Sequence, residues 1–218
     1  NSISTGTAFQ PLVNNRNGSI GGGASVGVSV GNDITVGTDT LFTILNVGGD
    51  IGGNAGGLLG ARNSTSANSF NFQIINDTGN IGGAATLEGI LTGALTSTAA
   101  GATIQITNVG GTIGGDAGIT FAAASLSAPS LLVQIQNQGG SITGNASIVL
   151  DIPANTTTTG DTTVQILGRN AAGSAAINVL TGNYNAGATF LQIHDGERPA
   201  PFTIPLPTPP TPQITPPS

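Results

Sequence analysis

The sequence predicts an all-β fold, a parallel β-solenoid (β-helix) of about six coils of ~30 residues each, with an extended proline-rich C-terminal tail. Three observations predict it: a recurring four-position signature, strand-like alternation ahead of each copy, and a composition of 35 glycines in 218 residues with only 6% charged residues. Ile20, Ile51, Ile81, Ile113 and Ile142 lie 31, 30, 32 and 29 residues apart. Five residues before each stands an asparagine (Asn15, Asn46, Asn76, Asn108, Asn137) and two before each a glycine (Gly18, Gly49, Gly79, Gly111, Gly140). Four after each stands an alanine (Ala24, Ala55, Ala85, Ala117, Ala146). Agreement of four positions in five copies is beyond what a glycine-rich composition produces by chance.

Residues 1–14 are expected to form an N-terminal cap or partial coil, with Pro11 and Val13 at strand positions. Residues 15–195 carry the repeats. Before each corner asparagine runs a strand: Phe42-Thr43-Ile44-Leu45, Phe72-Gln73-Ile74-Ile75, Ile104-Gln105-Ile106-Thr107 and Val133-Gln134-Ile135-Gln136. Alternation puts the first and third residue of each on one face. A sixth copy, Val164-Gln165-Ile166, drifts, with Asn170 and Gly173 keeping the asparagine–glycine spacing while Ala175 replaces the isoleucine; Leu191-Gln192-Ile193-His194-Asp195 closes the series. Length differences fall between the alanine and the next strand, where loops sit.

At ~3.3 Å per residue one unit traces a perimeter of ~100 Å, and six coils make a rod only ~30 Å long. Stacking turns the isoleucines into an internal ladder and the asparagines into a hydrogen-bonded side-chain ladder at a corner. The neighbouring glycines allow the sharp turn. Gly-Gly pairs after Ile20, Ile51, Ile81 and Ile113 mark a thin edge. The competing fold is an antiparallel β-sandwich of short strands. In the tail, residues 196–218, proline takes nine of the last twenty positions, and Phe202, Ile204 and Leu206 alternate. Such a segment runs extended and is tolerated along a sheet edge, so it is expected to dock on its own rod or on a neighbouring subunit.

The chain contains no lysine, which excludes a P-loop NTPase, a protein kinase and a pyridoxal-phosphate enzyme. Four scattered arginines and a net charge of −6 leave no cationic track, so no nucleic-acid partner is expected. No run of 18 apolar residues occurs and no membrane span is expected. A start at Asn1 without a basic-then-apolar leader suits a trimmed chain or a mature exported protein, and the composition favours an extracellular placement.

No catalytic, cofactor-binding or metal-binding residue is expected, and no cofactor. The repeat register makes His194 and Asp195 surface strand residues, and the two G-x-S-x-G strings at Gly23–Gly27 and Gly27–Gly31 fall on repeat positions. Asp50 and Asp116 stand at different repeat offsets in non-adjacent copies, which disfavours the paired carboxylates of a polysaccharide-degrading β-helix. No loop has calcium-ligand spacing. Ice binding calls for regular threonine rows, and Thr35, Thr38 and Thr40, or Thr156 to Thr159, are not expected to form one. Sequons begin at Asn17, Asn63, Asn76, Asn145 and Asn155, about the number that the composition alone produces.

The block Asn46-Val47-Gly48-Gly49-Asp50-Ile51-Gly52-Gly53-Asn54-Ala55 resembles the Gly/Asn/Thr-rich repeats of β-solenoid surface proteins, similar to the passenger repeats of secreted microbial adhesins. That resemblance covers residues 15–195 and implies a structural or adhesive role. Leu45, Ile75 and Leu167 fall on the outward face of the strands and, with Phe202, Ile204 and Leu206, are candidates for a subunit interface. The expected function is a secreted, non-enzymatic structural protein that self-assembles head to tail into a cell-surface filament or matrix fibre through its coil ends and tail. Its partners would be identical subunits, with surface glycans as a further class. The alternatives are a monomeric adhesin or carbohydrate-binding module and, third, a polysaccharide-degrading β-helix enzyme.

Overall fold

The computed structural model describes residues 1–168 and 173–194, which wind through about six coils built from 21 strands, without a helix. Every strand pairing is parallel, so the antiparallel sandwich is excluded. Each coil contributes one strand to a seven-stranded sheet, as in Thr40–Val47, Phe70–Asp77, Ala102–Val109 and Leu131–Gln138. The chain turns at the asparagine corner into a two-residue strand of a five-stranded sheet, as in Asp50–Ile51 and Asn80–Ile81. It then returns through a bent nine-stranded sheet. Early coils cross this sheet as two strands, Ala55–Ala61 and Ser64–Ser66; later ones as a single long strand, such as Ala85–Ser97 or Ala117–Ala128. Register shifts between Leu91 and Ala94, Ala122 and Ser125, and Ile152 and Asn155 take up the differences in repeat length.

Residues 1–14 already pair as part of the first coil: Ile3, Ser4 and Thr5 lie in register with Ile34, Thr35 and Val36, and Phe9 bridges to Thr40. The predicted tail, residues 196–218, lies outside the described residues, as do Phe202, Ile204 and Leu206.

The core consists of columns. Ile20, Ile51, Ile81, Ile113 and Ile142 stack in register along the five-stranded sheet, and the last four are at most 2% exposed. The alanines stack in the next column, from Ala24 to Ala175. Inside the seven-stranded sheet, Phe42, Phe72, Ile104, Val133, Val164 and Leu191 form one column and Val13, Ile44, Ile74, Ile106, Ile135, Ile166 and Ile193 another. Large rings are accommodated by missing side chains, across the core for Phe72 and in the adjoining coil for Phe121. A Cβ on Gly57 would come within 2.5 Å of the Phe72 ring, and one on Gly89 would collide with the Phe121 ring. Phe121 in turn packs edge-on against Phe70, with centroids 6.3 Å apart.

Each glycine is therefore a volume partner of one ring. Gly89→Ala is expected to lower stability by ~1–3 kcal/mol through overpacking, read as a lower denaturant midpoint at unchanged slope. An unchanged midpoint would show that the Phe121 ring moves freely.

Candidate functional surfaces

The corner is held by a continuous amide ladder. Asn15, Asn46, Asn76 and Asn108 each donate Nδ2 to the Oδ1 of the asparagine one coil on, at 2.7 Å. The same Nδ2 reaches the carbonyl of the glycine three residues ahead, at 2.9 Å in Asn46 and 2.8 Å in Asn76. Asparagine alone fits: its side chain is short enough to close that turn and carries both a donor and an acceptor. Asn46, Asn76 and Asn108 are fully buried, so their polar atoms depend on these bonds. Beyond Asn137 the register position is Gly168, and Asn170 lies outside the described residues. Asn76→Ala takes from the Asn46 amide its acceptor one coil on, takes from the Asn108 Oδ1 its donor, and removes one of the two hydrogen bonds to the Gly79 carbonyl. A loss of ~3 kcal/mol or more is expected in chemical denaturation, whereas the exposed Asn80→Ala should cost under ~1 kcal/mol.

At the other bends, Asn and Asp side chains replace missing backbone acceptors. Asn54 Oδ1 accepts from the Ala84 amide at 2.9 Å, Asn63 Oδ1 from Ala94 at 2.7 Å and Asp116 Oδ1 from Asn145 at 2.7 Å. Asp39 Oδ1 accepts from the Ser69 amide at 3.1 Å and from Ser69 Oγ at 2.5 Å. Asp50 Oδ1 accepts from Asn80 Nδ2 at 2.9 Å. These acids tie one coil to the next. Glu88 and Asp116 line one shallow groove with Thr86, Thr120 and Ser147, but Asp116 is engaged by the backbone. Among the described residues no three His, Cys, Asp or Glu side chains cluster as metal ligands would.

Asp33 receives Arg62 Nε at 3.0 Å and Nη2 at 2.6 Å, together with Asn63 Nδ2 at 2.8 Å. The Arg62 hydrogen bonds, followed by that from Asn63, hold its carboxyl down at about 2. The Ser69 hydroxyl lowers Asp39. Both carboxylates are more acidic folded than unfolded, so each contributes stability above the ordinary carboxylate range that is lost as pH falls through its folded value, which for Asp33 is about 2. The melting temperature should stay level from about pH 7 to 5 and drop between about pH 4 and 2. Asp33→Asn should flatten part of that drop, and an identical pH profile in the variant would remove Asp33 from the account.

The outside of the rod is also organised in rows. On the seven-stranded sheet the middle row runs Leu12, Thr43, Gln73, Gln105, Gln134, Gln165 and Gln192. Gln105 Nε2 donates to Gln73 Oε1 at 2.9 Å and Gln165 Nε2 to Gln134 Oε1 at 2.8 Å. Beside it lie Asn14, Leu45, Ile75, Thr107, Gln136, Leu167 and His194. Leu45, Ile75 and Leu167 are half-buried and stand on the flank of the rod, where stacking of coil ends does not cover them.

On the bent sheet, the expectation that threonine rows are missing is corrected. Ser4, Thr35, Thr65, Thr96, Ser127 and Thr157 fall into one outward column, continued by Asn185. Their spacings of 31, 30, 31, 31 and 30 residues were the available signal. Of the sequons, Asn76 is locked in the ladder while Asn63 and Asn145 accept backbone amides; Asn17 and Asn155 are exposed.

The two ends differ from the interior. Among the described residues nothing pairs with the outer edges of Ala175–Asn185 and Thr189–His194. Within one column, Ile166 is 6% exposed and Ile193 50%; in another, Leu150 is 3% exposed and Val179 36%. At the opposite end, Ile3, Phe9, Val13, Ile20 and Val28 are only partly covered by the core they pack on.

No family model, no curated protein and no solved structure matches this chain.

Proposed function

We propose that this chain is a secreted structural protein whose copies stack head to tail into a filament or matrix fibre at the cell surface. The observation that carries the reading is the last described coil, a set of core columns that among the described residues stops in mid-pattern with apolar side chains and strand edges open. The first coil is its complement. Continuing each column into a second copy sets Ala175 against Ala24, Ile177 against Val26, Val179 against Val28 and Ile193 against Val13, with all strands still parallel. Such a contact is heterologous and does not close on itself, so it propagates. The likeness of the repeats to adhesin passenger repeats supports the extracellular placement. The tail, residues 196–218, is proposed as a second element of the same joint.

Val179→Lys and Ile193→Lys place charges where the next coil would cover them. Fibre growth followed by light scattering and negative-stain electron microscopy is expected to slow at least ~10-fold, with the circular dichroism spectrum unchanged. Leu180→Lys, on the outward side of the same strand, should assemble normally. Deleting residues 196–218 should abolish fibres and leave the fold. Fibres of normal length from the Val179→Lys, Ile193→Lys chain would sink the end-to-end joint.

A second reading, an adhesive or carbohydrate-binding module, is favoured by the outward hydroxyl column from Ser4 to Thr157. It expects a glycan that raises the melting temperature of the wild-type chain but not of Thr65→Val, Thr96→Val.

A further inference from the structure

The geometry points to the outer face of the seven-stranded sheet as a lateral pairing face between two copies of this chain, independent of any contact at the coil ends. This face is made of three rows. The glutamine row lies in the middle, the row containing Leu45, Ile75 and Leu167 on one side, and the row Leu41, Asn71, Thr103, Leu132, Thr163 and Phe190 on the other. Not one aspartate, glutamate or arginine stands in them; Arg16 and Asp77 sit at the corner rim. The outer face of the bent sheet, by contrast, carries Glu88 and Asp151.

Self-pairing explains this distribution. In a twofold contact a surface meets its own copy, so any charge near the axis faces its like. A chain with net charge −6 meets its own copy with least repulsion where it carries no charge. Glutamine amides and threonine hydroxyls suit such a face, because each both donates and accepts and is complementary to itself. The apolar side chains supply burial: Leu45, Ile75, Leu132, Leu167 and Phe190 are all only half covered within one copy. Size fits as well. Seven strands at ~4.8 Å and about eight residues at ~3.3 Å give roughly 900 Å², close to the ~800 Å² that one partner contributes to a standard stable interface.

The test uses the full chain with its ends blocked by Val179→Lys and Ile193→Lys, weighed by sedimentation equilibrium across a concentration series. The expected species is a closed dimer, twice 21.2 kDa. Adding Gln105→Glu, or separately Thr107→Lys, should weaken pairing at least ~10-fold with the circular dichroism spectrum retained. Mixing Gln105→Glu chains with Gln105→Lys chains should restore it. A monomer at every concentration, or a dimer indifferent to both substitutions, overturns the proposal. A dimer that forms only after residues 196–218 are removed overturns it too, and gives the face to the tail. If fibres persist despite the blocked ends, their width is read instead: Gln105→Glu should narrow them, and unchanged width overturns the lateral contact while the end-to-end joint falls separately.

Discussion

Parallel pairing between successive coils sets every side chain at the ~4.8 Å strand spacing from its own equivalent in the coils before and after. Everything else in this molecule answers to that repeat. A column can hold branched aliphatic groups, which pack on their own kind, or amides and hydroxyls, which bond to their own kind. It cannot hold a run of one charge, because each would face its like at that distance. The 6% charged content therefore follows from the fold, and most of the described charges sit at bends or are paired across coils, while Glu88 and Asp151 stand singly on the outer face of the bent sheet. Arg62 bonded to Asp33 is such a cross-coil pair.

The same repeat divides labour between two kinds of polar group. Backbone amides along the strands are satisfied by the sheets, while those at the bends would lose their acceptor where the chain changes direction. Asn54, Asn63, Asp39 and Asp116 fill that gap, each from one coil into the next. An acid in such a place contributes as an acceptor and needs no substrate to account for it. Stability is thereby built from nearest-neighbour terms, as in other repeat proteins, and the terminal coils are its least supported part.

The corner was legible in the sequence because its chemistry admits so few residues. Asn46 must bond forward along its own chain and upward to Asn76, and no longer amide or acid does both. The isoleucine and alanine columns were legible by the same fixed spacing from that anchor. The hydroxyl column escaped because it lies beyond the bulged bend. Counted from the preceding isoleucine, Thr35, Thr65, Thr96, Ser127 and Thr157 sit 15, 14, 15, 14 and 15 residues on, so no single offset reveals them. The pair Gly57 with Phe72 was hidden for another reason, because the partner lies across the core in a different sheet and at a different repeat position; Gly89 and Phe121 instead stand in register on adjoining coils, eight residues after Ile81 and Ile113. The flank was read only as isolated apolar residues, and its character as a face emerges once the strands lie side by side.

The asparagine ladder also gives the rod an electrical direction. Among the described residues the four inter-asparagine bonds run the same way, Nδ2 of one coil to Oδ1 of the next, and the bond from Nδ2 to the glycine carbonyl fixes that sense. Their amide dipoles line up along the axis in a buried corner, each polarising its neighbour. The positive end of this line points toward the C-terminal coil. A rod with little formal charge thus carries a fixed arrow, written in uncharged side chains.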